Sequence, residues 1–341
     1  MDAETADIAD GPELRRNATG APISLAAVRR QTMGRMSIDR PLPGPLRELL
    51  SGLFDDASLF PPGDLPMPAA VAAHGRHRTA WYHELTGPFV CPETRIDELR
   101  TVLTAANVPE IDLALIVTGG ATAVSAATDA LAADPRLRLR AIEVAAIRPA
   151  PSDSSQSQSA PGHGAREVAV ALDAALLAGA AGYIEIPLST LSDPDTASEV
   201  LAIVAGRGYR PKLRTGGPHA AAFPDEPTLA SALAAVERWN VPFKCTAGLH
   251  HAVRHTAADT GFEHHGFLNV LLAVGAVTAD ADLDQIAAIL AQRDPATVAA
   301  QIRDLDLETA AEIRSLFTSF GTCSTDDPVA DLVGLGLISQ P

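Results

Sequence analysis

The chain has 341 residues, enough to bury a large core as one α/β domain or as two smaller ones. Hydrophobic residues make up 47% but aromatics only 4%, so the core must be built from Ala, Val, Leu and Ile. A net charge of −16 argues against a nucleic-acid or anionic-membrane surface, either of which would want a basic face.

No run approaches the roughly 18 apolar residues of a membrane span. The start, "MDAETADIADGPELRR", is acidic where a signal peptide would be basic and then apolar. Cys91, Cys245 and Cys323 are odd in number and widely spaced, which suits reduced thiols. The expectation is a cytoplasmic protein whose partner is a small molecule.

Residues 1–40 are polar, Ala/Arg-rich and without clean periodicity, and read as a mostly disordered lead-in. From residue 41 to 341 short apolar runs alternate with amphipathic ones. Expected strands are "DASLF" (56–60), "YHELTGPFVC" (82–91), "IDLALIVT" (111–118) and "LRLRAIEVAAI" (137–147). "GYIEIPL" (182–188), "RPKLRT" (210–215) and "VPFKCTA" (241–247) follow.

Helical patterns lie between them, as in "RIDELRTVLTAA" and "EPTLASALAAVERW". "RPAPSDSSQSQSAPGHGA" (148–165) is Pro/Ser/Gln-rich and is expected to be a surface loop holding a solvated His163. The eighth strand is assigned to "SLFTSFGTCS" (315–324), with "GFLNVLLA" (266–273) read as a helix.

Seven or eight βα units without a composition break point to a single (β/α)₈ TIM-like barrel. The alternative is a doubly wound open parallel sheet, which would want a Gly-rich nucleotide turn; neither G-x-G-x-x-G nor G-x-x-x-x-G-K-[ST] occurs. An Ala-rich outer helix layer permits a homo-oligomer.

In such a barrel, chemistry gathers where the strands end. Strand alternation puts Lys212 and Arg214 on one face, and Lys244 and Thr246 on one face of the next strand. Glu143 and Glu185, inside otherwise apolar strands, would face them and balance the charge. A buried charge is tolerated only when paired, so the same set also reads as a structural network lining the barrel.

Thr215, Gly216 and Gly217 at one strand end, and Ala247 and Gly248 at the other, could turn backbone N–H groups toward a phosphate or carboxylate. Half of the ten histidines, His250, His251, His255, His264 and His265, fall within sixteen residues, with His219 on the preceding loop. With Glu263 or Asp259 they are candidates for a divalent metal, although the spacing matches no established motif. His250 is the candidate acid/base. Asp55, Asp56 and Asp64 could approach the mouth, although solvated turn carboxylates are the preferred reading, and Cys245 alternates away from Lys244 toward a helix.

Lys-x-x-Thr-Gly on one strand and Lys-x-[Ser/Thr]-[Gly/Ala]-Gly on the next resemble the class I (Schiff-base) deoxyribose-phosphate aldolases. The resemblance implies Lys244 as the nucleophile, Lys212 as its electrostatic neighbour and Glu143 as the acidic proton relay. It implies no cofactor, and assigns Thr215, Gly216, Ala247 and Gly248 to the phosphate-holding turns. His250 and His251 stand where that family continues with Arg-Thr. Separately, "DDASLFPP", "KLRTGG", "FKCTAGLHH" and "SFGTCS" together resemble a conserved bacterial protein family that lends no activity.

Three functions follow as expectations. The preferred one is a lyase of aldolase type acting through a Schiff base on a small anionic carbonyl metabolite. The second is a metal-dependent lyase, isomerase or hydrolase using the 250–265 histidine loop. The third is a barrel that binds such a metabolite without turnover.

Overall fold

The computed structural model describes Leu42 and residues 44–146, 161–176 and 179–341. The expected lead-in over 1–40 lies outside them, as do residues 148–160 of the Ser/Pro-rich stretch. A compact unit spans Leu42–Gln340.

Eight parallel strands close into a barrel: β1 (Phe54–Asp56), β2 (Thr86–Pro92), β3 (Ile111–Val117), β4 (Leu137–Ala145), β5 (Ala181–Ile186), β6 (Arg210–Arg214), β7 (Phe243–Thr246) and β10 (Phe317–Thr322). β1 pairs with both β2 and β10, so no edge remains and the open sheet is excluded. A short antiparallel ribbon, β8 (His255–Thr256) with β9 (Glu263–His264), rises from the connection after β7.

Strand ends shift by a few residues throughout, and three departures from the sequence reading change local structure. β1 ends at Asp56 rather than running to Phe60, because the Asp56 carboxylate accepts the Ser58 N–H at 3.1 Å and turns the chain. Residues 83–85 wind into a 3₁₀ turn before β2. The last residues of the 148–165 stretch begin a helix, Pro161–Ala175, with proline at its first position. His163 on that helix is exposed, beside Glu167.

Two apolar layers follow from strand alternation. The larger lies between the strands and their helices, built mostly of Leu, Ile, Val and Ala. The smaller fills the barrel interior with Val90, Ala114, Ala141 and Tyr183. Since Ala141 and Tyr183 point inward, Glu143 and Glu185, two residues on, point inward as well.

The scarce aromatics concentrate where the barrel closes. Phe54 meets Phe267 at 5.6 Å and Phe320 at 5.3 Å between ring centroids, and Phe243 stacks on Phe317 at 5.1 Å. Each such burial contributes about 1.5–3 kcal/mol, so the seam between the first and last strands is among the best-packed parts of the molecule.

On the inner side of that seam the pairing of β10 with β7 shifts between Phe317 and Ser319. The extra residue, Thr318, meets the Tyr183 hydroxyl at 2.9 Å, while Ser319 reaches Asp55. The irregularity thus lets two successive hydroxyls face the interior.

Candidate functional site

The register carries the site. Glu185 pairs with Lys212, Lys212 with Lys244, and Lys244 with Ser319, so neighbouring strands present these side chains at one level of the barrel. Glu143 on β4 and Asp55 on β1 complete the ring from the far side.

Lys244 Nζ donates to Glu143 Oε1 at 2.5 Å and to the Asp55 carboxylate. The other Glu143 oxygen takes Lys212 Nζ at 2.8 Å, and Lys212 also reaches Glu185 Oε2 at 3.0 Å. Glu185 Oε1 accepts Arg214 Nε at 2.8 Å, and Ser319 Oγ donates to Asp55 at 2.9 Å. Lys244 Nζ lies 5.4 Å over the Tyr183 ring, which adds a cation–π contact.

Acids and bases therefore alternate from Asp55 through Lys244, Glu143, Lys212 and Glu185 to Arg214. The first four are at most 2% exposed, whereas the Arg214 side chain is 48% exposed. The chain of charges runs from a dry interior to the open end of the barrel.

Burial would drive these groups neutral, and the partners decide otherwise. Burial pushes the Glu143 carboxyl up, but the two ammonium groups outweigh it and hold it at about 2. Burial would likewise lower Lys244, yet the Asp55 and Glu143 carboxylates hold it well above the ordinary lysine range. Glu185 is lowered against its own burial by Lys212 and Arg214. Asp55 is raised by burial, with Lys244 and Ser319 pulling the other way. Of the three carboxyls it is the one closest to holding a proton.

Asp55 approaches the barrel interior, against the preferred sequence reading of a solvated turn carboxylate. It is 2% exposed because β1 ends one residue later and its side chain falls inside the barrel. Asp56 is also buried, on the outer side, where His74 Nδ1 meets it at 3.0 Å. Asp64 is exposed, as expected. Cys245 is fully buried against the helices, and its thiol is pushed far up by burial.

A further signal lay unused in the composition. Lys212 and Lys244 are the two lysines of the whole chain, against 24 arginines. Arginine carries positive charge everywhere else, and a primary amine is kept at two adjacent interior positions. A guanidinium cannot be deprotonated in a protein or condense with a carbonyl as an amine does.

The sibling turns pack on each other. Thr215 N–H donates to Thr246 O at 2.9 Å and Thr215 Oγ1 to Ala247 O at 2.5 Å. A methyl on Gly216 would meet Gly248 Cα at 2.7 Å. Gly248 has φ +79° and Ala247 φ +60°, both left-handed. Steric demand accounts for Gly216 and Gly248, Gly217 is half-buried, and Thr246 sits beside Gly321 at the strand end. His219 is exposed on the following loop.

The histidines divide. His250 Nδ1 approaches Thr322 Oγ1 at 3.3 Å and Cys323 Sγ at 3.4 Å, and burial keeps its imidazole neutral, with a pKa of about 4. His251 pairs with Asp331 at 3.1 Å. His255 meets His251 edge to face at 4.6 Å and His264 at a tilt at 5.1 Å. His265 is fully buried with both nitrogens engaged, by Arg254 Nη1 at 3.1 Å and Pro224 O at 2.9 Å. Glu263 is bound to Arg293 and Thr256. Among the described residues no group of three or more His, Cys, Asp or Glu side chains is arranged to hold a metal ion.

No family model matches the chain, and no curated protein does. A solved structure from work on two fungal β-1,4-galactanases matches at 9% identity with a TM-score of 0.39, over 67% of this chain and 86% of the other. A likeness that distant carries no argument about chemistry. Among the described residues no helix is long and apolar enough to cross a membrane.

Proposed function

We propose that the chain is a lyase of aldolase type that forms a Schiff base with a small anionic carbonyl metabolite. One observation carries this reading: the two lysines of the chain share a single buried carboxylate at the centre of the barrel. A structural charge network could use arginine, as the chain does elsewhere; imine chemistry cannot.

The geometry favours Lys212 as the nucleophile and Lys244 as the group that keeps a proton, the reverse of what the family resemblance implies. Lys244 is enclosed by two dry carboxylates that hold its ammonium. Lys212 shares its second carboxylate, Glu185, with Arg214 at the open end, where a substrate enters.

Activation moves one proton inward. Lys212 gives its proton to Glu143, Glu143 is neutral only in passing because Lys244 passes a proton on to Asp55, and Lys244 takes the proton from Glu143. The net change is a Lys212 amine and an Asp55 carboxylic acid. The amine adds to the substrate carbonyl, and the proton held on Asp55 returns through Lys244 and Glu143 to the carbinolamine hydroxyl, which leaves as water and yields an iminium. That cation accepts the electron pair of the breaking carbon–carbon bond while the β-hydroxyl proton goes to a carboxylate, releasing an aldehyde. Protonation of the enamine and hydrolysis return the lysine. Arg214, half exposed above the lysines, supplies the charge for a phosphate or carboxylate on the substrate.

The test is borohydride trapping with small aldehydes, phosphorylated aldoses and 2-keto acids, read by peptide mass mapping. Besides the terminal amine only two amines can react, so the adduct's address is unambiguous. An adduct on Lys212, absent in Lys212→Arg and slowed in Lys244→Arg, is expected. An adduct on Lys244 instead would restore the family's order of roles, and failure to label either lysine across the panel would sink the Schiff-base reading.

A further inference from the structure

Outside the barrel, the connection after β7, the segment around Arg293 and the helix Asp326–Gly334 enclose an open cleft of about 460 Å³. Its volume lies within the range of about 300–1,000 Å³ in which proteins hold small molecules. Its lining sets His251, Arg254, His255 and Arg293 beside Asp331, with Leu335 on the apolar side, and Glu226 and Glu263 pair with the two arginines.

The polar groups differ in how far they are already committed. Asp331 Oδ2 accepts the Ala252 N–H at 2.7 Å and His251 Nδ1 at 3.1 Å, so its charge is spent on holding the loop. His255 Nδ1–H donates to Val253 O at 3.2 Å, so on the neutral ring Nε2 is an acceptor, able to meet a protonated phosphate oxygen. The Arg293 guanidinium is 48% exposed and binds Glu263 and Thr256 with only part of its five-donor fork.

Arg254 supplies the second observation. It is 6% exposed, yet its Nε–H has no hydrogen-bond partner among the described residues, although its other nitrogens meet Glu226 at 2.8 Å, Glu263 at 3.4 Å and His265 at 3.1 Å. A buried donor left unpaired is costly, by about 1–3 kcal/mol, and Arg254 lines the cleft, so its guanidinium keeps donor capacity that an acceptor there fills once the side chain shifts toward it.

We propose that this cleft is a second binding site, for a small organic anion with an apolar body, whose phosphate or carboxylate is taken by the Arg254 and Arg293 guanidiniums beside the His255 ring. The apolar part lies against Leu335. His250 and His251 are successive residues, one facing Thr322 at the barrel end and the other Asp331 in the cleft, so an occupant here touches the segment that borders the barrel mouth. The proposal does not depend on imine chemistry.

The probes are phenyl phosphate and inorganic phosphate, titrated into full-length Arg214→Ala chain so that an anion at the barrel mouth does not contribute. The readouts are the ring resonances of His251 and His255 together with calorimetry. Saturable shifts of both rings are expected, with phenyl phosphate the tighter ligand. Arg293→Ala in the same background, a change at a half-exposed side chain, should weaken binding by at least about tenfold, the loss of one charge-assisted contact. Shifts that never saturate, or saturable binding unaffected by Arg293→Ala, would overturn the assignment.

Discussion

Glu143 accepts both lysines, one on each oxygen, at 2.5 and 2.8 Å and 2% exposure, so its charge cannot be replaced by water. Glu143→Gln keeps the shape but leaves two buried ammonium groups with one carboxylate each. Removing one partner from a buried ion pair typically costs about 3–5 kcal/mol, because the remaining charge stays dry. Urea unfolding of Glu143→Gln should show a loss of that size, and Glu185→Gln, whose side chain is 20% exposed, a clearly smaller one. Equal losses at the two positions would mean that the interior is wetter than its burial indicates. Lys244→Met removes the opposite sign from the same circuit and should cost a similar amount, whereas Arg214→Ala, at the solvated end, should change stability by less than about 1 kcal/mol.

At the scale of elements, the turns after β6 and β7 behave as one piece. Gly248 lies at φ +79°, and a Cβ there would come within 2.6 Å of Thr215 O. Gly248→Ala therefore adds both a clash with backbone and left-handed strain, each about 1–3 kcal/mol, and thermal denaturation should reveal a lowered midpoint. Gly75 provides the contrast: it is exposed inside the helix Met67–His77, with nothing within 4 Å of its missing Cβ. Gly75→Ala should stabilise by about 0.5–1 kcal/mol through helix propensity alone. If both substitutions shift the midpoint alike, close packing is not what fixes the paired turns.

The same elements explain what could be read in advance. Period-two alternation placed Lys212, Lys244, Glu143 and Glu185 on inward faces because central barrel strands alternate without interruption. It says nothing at β1, where three residues are too few to show a period and the expected strand begins only at residue 56, so the inward face of Asp55 is not legible there. Ser319 was out of reach for a related reason: a bulge breaks the alternation of β10. The histidine loop carries no period at all, and its division between barrel mouth, cleft and core depends on tertiary contacts with Asp331, Cys323 and Arg254.

For the whole molecule, pH separates two kinds of buried group. His250 and His265 are held neutral by burial, with pKa values of about 4 against 6.5 when unfolded. The unfolded chain therefore takes up protons first, and stability falls as pH drops from about 6.5 toward 4, by up to roughly 3 kcal/mol per histidine. Glu143 acts in a lower window. Its pKa of about 2, against an ordinary 4.5, gives stability that is complete above 4.5 and is lost as pH falls toward 2. The net charge of −16 works the other way, since protonation relieves self-repulsion, but those charges are mostly on the surface and 0.15 M salt screens them beyond about 8 Å. In that salt, stability measured by denaturant titration should be flat above pH 7 and decline in two stages below it. His250→Gln should shrink only the upper stage, to which His265 still contributes, and Glu143→Gln only the lower. A single transition centred near pH 4.5 in all three proteins would mean that surface carboxylates, rather than the interior, govern acid unfolding.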